Sequence, residues 1–186
     1  MAGKLFIIAT PIGNLEDITI RALRTLRQVD VIAAEDTRHT RQLLSKYKIH
    51  KRMIACHDHN EAQMAERILD ILRAGQNIAL VSDAGTPGIS DPGFELVRRV
   101  VSEGCECVPI PGPSALTSAL SISHLPVNEF IFLGFLPKKP GIRKRLIEKV
   151  KNERKSLVFF LSPHNALVVI SNLNDFLGDR PILLCR

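Results

Sequence analysis

Tryptophan is absent from this chain and tyrosine occurs once, so base stacking on aromatic rings is not its main grip on any ligand. The four cysteines (Cys56, Cys105, Cys107, Cys185) form neither a paired framework nor a CxxC zinc pattern, which points to reduced, mostly buried thiols. No apolar run approaches the ~20 residues needed to span a bilayer, and the start lacks a basic-then-apolar signal, so a cytoplasmic protein is expected. The phosphate-cradle signature GxxxxGKS/T is missing, and so is GxGxxG after the first strand, which argues against nucleotide hydrolysis. Without a GxSxG elbow a serine nucleophile has no support. His57 and His59 could join Asp58 or Cys56 in a metal site, but no second cluster completes a ligand set, and no metal is expected.

What is present starts with charge. With 45% hydrophobic and 24% charged residues, the chain of 186 can bury a real core. Of its net +6, residues 138–155 carry +7, nine Lys/Arg against Glu148 and Glu153. The remainder therefore sums to −1, which reads as a near-neutral body with one basic arm. A localised contact with a polyanion is expected there, through Lys138, Lys139, Arg143, Lys144 and Arg145. The plainer reading makes the arm the solvated face of an amphipathic helix, with Ile142, Leu146 and Val150 as its buried stripe.

Along the chain, strand and helix patterns alternate. Strands are expected at 4–9, 29–34, 52–56, 78–81 and 105–110, and again at 130–134, 157–161 and 182–184. The helix after the first strand carries Ile18, Ala22, Leu23 and Leu26, with Asp17 or Thr19 as its cap. Another runs through Leu43 and Leu44 to about Tyr47, after a polar stretch from Glu35 to Thr40. Asn60 with Gln63 makes a capping box for a helix stopped by Gly75. Beyond the fifth strand, Pro111 to Ser114 should break the chain sharply before a short helix near Leu116–Leu120. Ser162 should cap a later helix with Pro163 at its first position. This alternation predicts a largely parallel α/β fold of two α/β domains, residues 1–112 and 113–186.

The unusual residues nearly all follow strands, and in a parallel sheet those ends share one edge where ligands bind. The longest of these loops, Ser82 to Gly93, holds three glycines, two prolines and two aspartates, which suits a rigid, shaped ligand loop. Asp91 is placed to N-cap the helix beyond it, with Pro92 at the first position, which leaves Asp83 as the carboxylate without a structural task.

These segments (10–19, 34–40, 57–61, 82–93, 109–115 and 134–137), in this order and spacing, resemble the tetrapyrrole-methylase-like S-adenosylmethionine (SAM) methyltransferases, in the branch that modifies small-subunit ribosomal RNA. The resemblance implies two α/β domains with SAM in the cleft between them, a homodimer, and methyl transfer to the 2′-hydroxyl of a cytidine near the decoding site. It assigns the cofactor to Pro11, Asp83, Ala84, Gly85, Ile89, Ser90, Ser114, Ala115 and Leu161. For the acceptor, the general base is sought among Glu35, Asp36, His57 and His59, with Arg38 and Asn14 orienting the target ribose or phosphate. The chain departs from the family pattern at Leu161, where a Glu is usual, at Asn165 in place of Arg, and at His124 in place of Gly. Relatives continue past Leu184-Cys185-Arg186, so the second domain is expected to be partial. Two rival readings are a small-molecule methyltransferase acting on a tetrapyrrole and a non-catalytic RNA- or ribosome-binding module.

Overall fold

The structure is a computed structural model and describes residues 2–186. The chain divides into two compact units, one ending at Ala115 and the other running from Leu116 to Arg186. In the first, β1 (Leu5–Ile8), α1 (Ile20–Gln28), β2 (Val31–Ala34), α2 (Thr37–Lys46), β3 (Arg52–Ala55), α3 (Glu61–Arg73), β4 (Ile78–Val81), α4 (Phe94–Ser102) and β5 (Cys107–Ile110) follow in order. All five strands are parallel, in the order β3-β2-β4-β1-β5. The central strands β2 and β4 are buried along their whole length, which is why they read as unbroken apolar runs. Pro109 sits in β5, an edge strand, where its missing N–H is tolerated.

Alternation along each strand sorts the core into two layers. Val31, Ala33, Ile78 and Leu80 pack with Ile68, Leu69 and Leu72 of α3 and with Leu96 and Val100 of α4. Ile32, Ala34, Ala79 and Val81 face the other way, against Ala22 and Leu26 of α1 and Leu43 and Leu44 of α2. Because α1 and α4 lie on opposite faces while β1 and β4 are neighbours, the loops after these two strands diverge at a topological switch point.

The local devices partly match expectation. Thr19 is the N-cap of α1, its hydroxyl accepting from the Ala22 amide, and Gly75 and Gly104 take up positive φ just beyond α3 and α4. The helix expected only after Thr40 begins at Thr37, because Asp36 caps it by accepting from the Arg38 amide. Asn60 precedes α3 but makes no capping bond; its amide turns back, accepting from His57 N at 2.8 Å and donating to Ala55 O, so the capping box is not formed. Asp91 does not cap α4 either. Gly93 holds the N-cap position at φ 132, and Glu61, from α3, accepts there from the amides of Gly93 (3.1 Å) and Leu96 (2.8 Å).

The second unit contains α5 (Ala115–Ser121) apart from its first residue, β6 (Phe130–Phe135), α6 (Pro140–Val150), β7 (Ser156–Phe160) and α7 (Ala166–Leu177). β6 and β7 pair in parallel with a register shift between Phe132 and Phe135, where Gly134 takes φ 62. Phe160 packs edge-to-face on both Phe132 and Phe135. Ser162 and Pro163 open only a short 3₁₀ turn, without a side-chain cap, and α7 starts after it. The segment 182–184, expected as a strand, pairs with no other strand among the described residues and lies exposed.

The buried stripe of α6 is Arg143, Ile147 and Val150, not Ile142, Leu146 and Val150; Ile142 is half exposed. Arg143, expected on the outer face, is buried because α7 supplies a partner. Its guanidinium donates to Asn172 Oδ1 at 2.6 and 3.1 Å and to the carbonyls of Pro137 and Lys138. It fastens α6 to α7 and to the end of the loop before it, and is not available to a polyanion.

Candidate functional site at the strand ends

Within the first unit the strand order separates the predicted site residues into two neighbouring groups. Pro11, the stretch Asp83 to Ser90, and Ser114 with Ala115 follow β1, β4 and β5, three adjacent strands. Glu35, Asp36 and Arg38 follow β2, and His57 and His59 follow β3, the adjoining pair. Asn14 is the exception, after β1, where its Oδ1 accepts from Glu16 N to cap a short 3₁₀ turn. Leu161, just past β7, belongs to the second unit, as do Lys138, Lys139, Lys144 and Arg145, all four of them exposed.

Hydrogen bonds tie these loops together. Thr10 and Gly85 exchange backbone bonds of 2.8 and 3.0 Å, and the Thr10 hydroxyl donates to Ser82 O. The Thr86 hydroxyl donates to Pro113 O, joining the loops after β4 and β5. At the border between the two groups, Asp83 Oδ1 accepts from Asp36 N at 3.1 Å while Glu35 Oε2 accepts from Asp83 N at 3.3 Å. Asp83 thus has a structural task after all: one oxygen holds the start of α2. The loop's conformation needs its glycines, with φ of 90 at Gly85 and 132 at Gly93, and Ser90 joins them at φ 62. A Cβ on Gly93 would stand 3.0 Å from a Leu80 methyl and 3.3 Å from Gly88 N.

Electrostatics then distinguish the carboxylates. Desolvation raises the pKa of Glu35, reinforced by the charges of Asp83, Asp91 and Asp58, although the Asp83 amide opposes it. Burial likewise raises Asp91, with Asp83 and Asp58 adding to the effect and the Ser82 hydroxyl opposing it. Asp36 goes the other way. The Arg38 guanidinium, in a two-pronged ion pair at 2.7 Å, holds it well below the usual carboxylate range. A carboxylate so strongly stabilised as the anion is a poor proton acceptor; Glu35 is the better one.

His57 is half-buried and its ring meets that of His59 edge-on at 6.0 Å. Among the described residues no three His, Cys, Asp or Glu side chains converge as a metal site. A small pocket of about 40 Å³ lies beneath the loops, lined by Thr10, Pro11, His39, Thr40, Ser82 and Asp83 among others, with room for a few waters. Thr10, Ser82 and Glu61 are the residues that sequence reasoning overlooked. A glycine N-cap implies that α4 must be capped from elsewhere, and that is the only sign of Glu61 the sequence offers.

A family model for Tetrapyrrole (Corrin/Porphyrin) Methylases matches residues 4–186. Curated relatives named Ribosomal RNA small subunit methyltransferase I are similar over nearly the whole chain. The one from Thermotoga maritima is 50% identical over 99% of this chain and 82% of its own length. That from Halalkalibacterium halodurans is 46% identical over 99% of this chain and 64% of its own, and that from Pseudomonas aeruginosa 48% over 100% and 66%. The chain therefore spans about two thirds of the length of the latter two. Among solved structures, uroporphyrin-III-C-methyltransferase from Thermus thermophilus matches with a TM-score of 0.65 at 20% identity, covering 93% of this chain and 74% of that one. At that identity the likeness speaks for the fold alone.

Proposed function

The chain belongs to the tetrapyrrole (corrin/porphyrin) methylase family, and from that premise we propose that it is a SAM-dependent methyltransferase acting on the 2′-hydroxyl of a cytidine in small-subunit ribosomal RNA, near the decoding site. The observation that carries the reading is the sorting of the strand ends into two groups joined by the bonds of Asp83 with Asp36 and Glu35. A methyltransferase needs a donor half and an acceptor half side by side, and two adjoining groups of strand-end residues suit that need. Similarity near 50% identity to relatives named for ribosomal RNA supports the substrate class.

The residues present suit SAM. Asp83 is a half-buried carboxylate whose second oxygen can accept from a ribose diol or an ammonium group, and a Cβ at Gly13 or Gly88 would meet nothing within 4 Å, so open space adjoins both loops. Pro11, Ala84, Gly85, Ile89, Ser90, Ser114, Ala115 and Leu161 complete the set. When bound, SAM supplies an activated methyl on a sulfonium. The protein's own part is alignment of the acceptor hydroxyl and removal of its proton. Glu35 takes that proton, its pKa raised toward the working range, while Arg38, His57, His59 and Asn14 hold the acceptor nucleotide. Lys138, Lys139, Lys144 and Arg145 contact RNA phosphates, and the protein works in the cytoplasm as a homodimer.

The test offers labelled SAM together with small ribosomal subunits or with a free tetrapyrrole. Label in the RNA, at a linkage that resists alkali because its 2′-oxygen is blocked, is the expected result. Label in the tetrapyrrole establishes a small-molecule enzyme instead, and no SAM binding at all establishes a non-catalytic module. Asp83→Ala is expected to abolish SAM binding in calorimetry, and Asp83→Asn, which keeps the bond to Asp36 N but loses the charge, to weaken it. Unchanged affinity in both would remove Asp83 from the cofactor site.

A further inference from the structure

The near-neutral body of the sequence reading conceals a second basic region. Residues 20–52 hold nine Lys/Arg against Asp30, Glu35 and Asp36, a net +6. These residues build α1, α2 and the start of β3, and both helices cover the same face of the sheet. They lie side by side: Arg27 donates to Tyr47 O, the Tyr47 hydroxyl to Leu15 O, and Lys46 pairs with Glu16. The acids there are largely engaged, Asp36 by Arg38, Asp30 as acceptor for Asn77 N, and Glu35 as acceptor for Asp83 N. Arg21, Arg24, Arg41, Lys48 and Arg52 are exposed and have no ion pair among the described residues.

The opposite face shows that this is not simply how the protein finishes its surfaces. On α3 and α4, Arg73, Arg98 and Arg99 are tied to Asp70, Glu103, Glu95 and Glu66. We infer that the α1/α2 face is an RNA-docking surface that grips the phosphate backbone of the substrate, separately from the basic helix α6. This deepens the function proposed above and rests on it. Four of the five free cations are arginines, whose planar forks suit phosphate oxygens. Helices of nine and ten residues run about 15 Å, the reach of roughly four phosphates along one strand. Ile20 is the only large apolar side chain of this face that is strongly exposed, which gives a bilayer little to bury, so RNA is favoured over an anionic membrane.

The test is the triple variant Arg21→Glu, Arg24→Glu, Arg41→Glu in the full 186-residue chain, with binding to a small-subunit rRNA transcript measured against salt. Affinity is expected to fall about tenfold or more at low salt, and the slope of log K against log salt to shrink by about 2–3. SAM affinity and the melting temperature should hold, since all three side chains are exposed. A control pair on the opposite face, Arg67→Glu with Arg98→Glu, should leave the slope unchanged. An unaltered slope in the triple variant, with the parent chain still binding SAM and RNA, overturns this surface alone. A parent chain that binds no RNA overturns the proposed function with it. Loss of binding to vesicles of equal parts phosphatidylserine and phosphatidylcholine, with RNA binding intact, makes the surface a membrane contact and overturns the RNA assignment.

Discussion

On α3 and α4, three arginines stand in ion pairs and a buried glutamate closes the N-terminus of the second helix; on α1 and α2, Arg21, Arg24 and Arg41 stand exposed with no ion pair among the described residues, and each helix is capped by a residue of its own chain segment. Beneath these surfaces the two layers are built alike, from alternate residues of the same strands. One face is therefore internally compensated and the other leaves its charge to be compensated from outside. Surface charge is the cheapest thing for a fold to vary, because exposed ion pairs contribute little to stability. A one-sided excess is more readily explained by a partner than by the needs of folding.

The comparison can be broken in the core first. Leu26→Ala under α1 and Leu72→Ala under α3, both fully buried, should each cost about 2–5 kcal/mol in urea unfolding. Markedly unequal losses would mean that the layers differ inside as well as outside. Next comes the cap. Glu61→Ala leaves the Gly93 and Leu96 amides without their acceptor, a loss of about 2 kcal/mol or more, and amide exchange should quicken there first. Protection unchanged at both amides would remove Glu61 as the brace of the compensated face.

The smallest effect lies at Glu35, on the rim leading into α2. Burial raises its pKa above the ordinary 4.5, so the folded state holds the proton more tightly than the unfolded chain. Its contribution to stability is then greatest on the acid side and declines as pH rises from the ordinary value through the raised one. Glu35→Gln should flatten that decline in unfolding experiments across the same window while methyl transfer is lost. A mutant that keeps the parent's pH slope would show that Glu35 is not the group responsible.

Much of the site was legible because strand ends in a parallel sheet must share an edge. Once 4–9, 29–34, 52–56, 78–81 and 105–110 read as strands, the loops after them had to converge. Thr19 and Gly75 were legible for a similar reason: each acts on amides or a turn a few residues away. The failures share the opposite cause. Asp91 reads as a local cap, yet the acceptor for α4 arrives from Glu61, some thirty residues upstream. Arg143 reads as one more surface cation, yet Asn172 makes burial tolerable. Asp83 reads as spare, yet Asp36 N needs it.

By itself, then, the sequence determined the alternating elements, the parallel class and the set of residues that follow the strands, since periodicity and turn chemistry are properties of neighbours along the chain. Only the tertiary structure decided the strand order that sorts the strand-end residues into two groups, the partners of Glu61, Arg143 and Asp83, and the gathering of scattered arginines on one face. Each of these depends on contacts between residues distant in sequence, which no local pattern encodes.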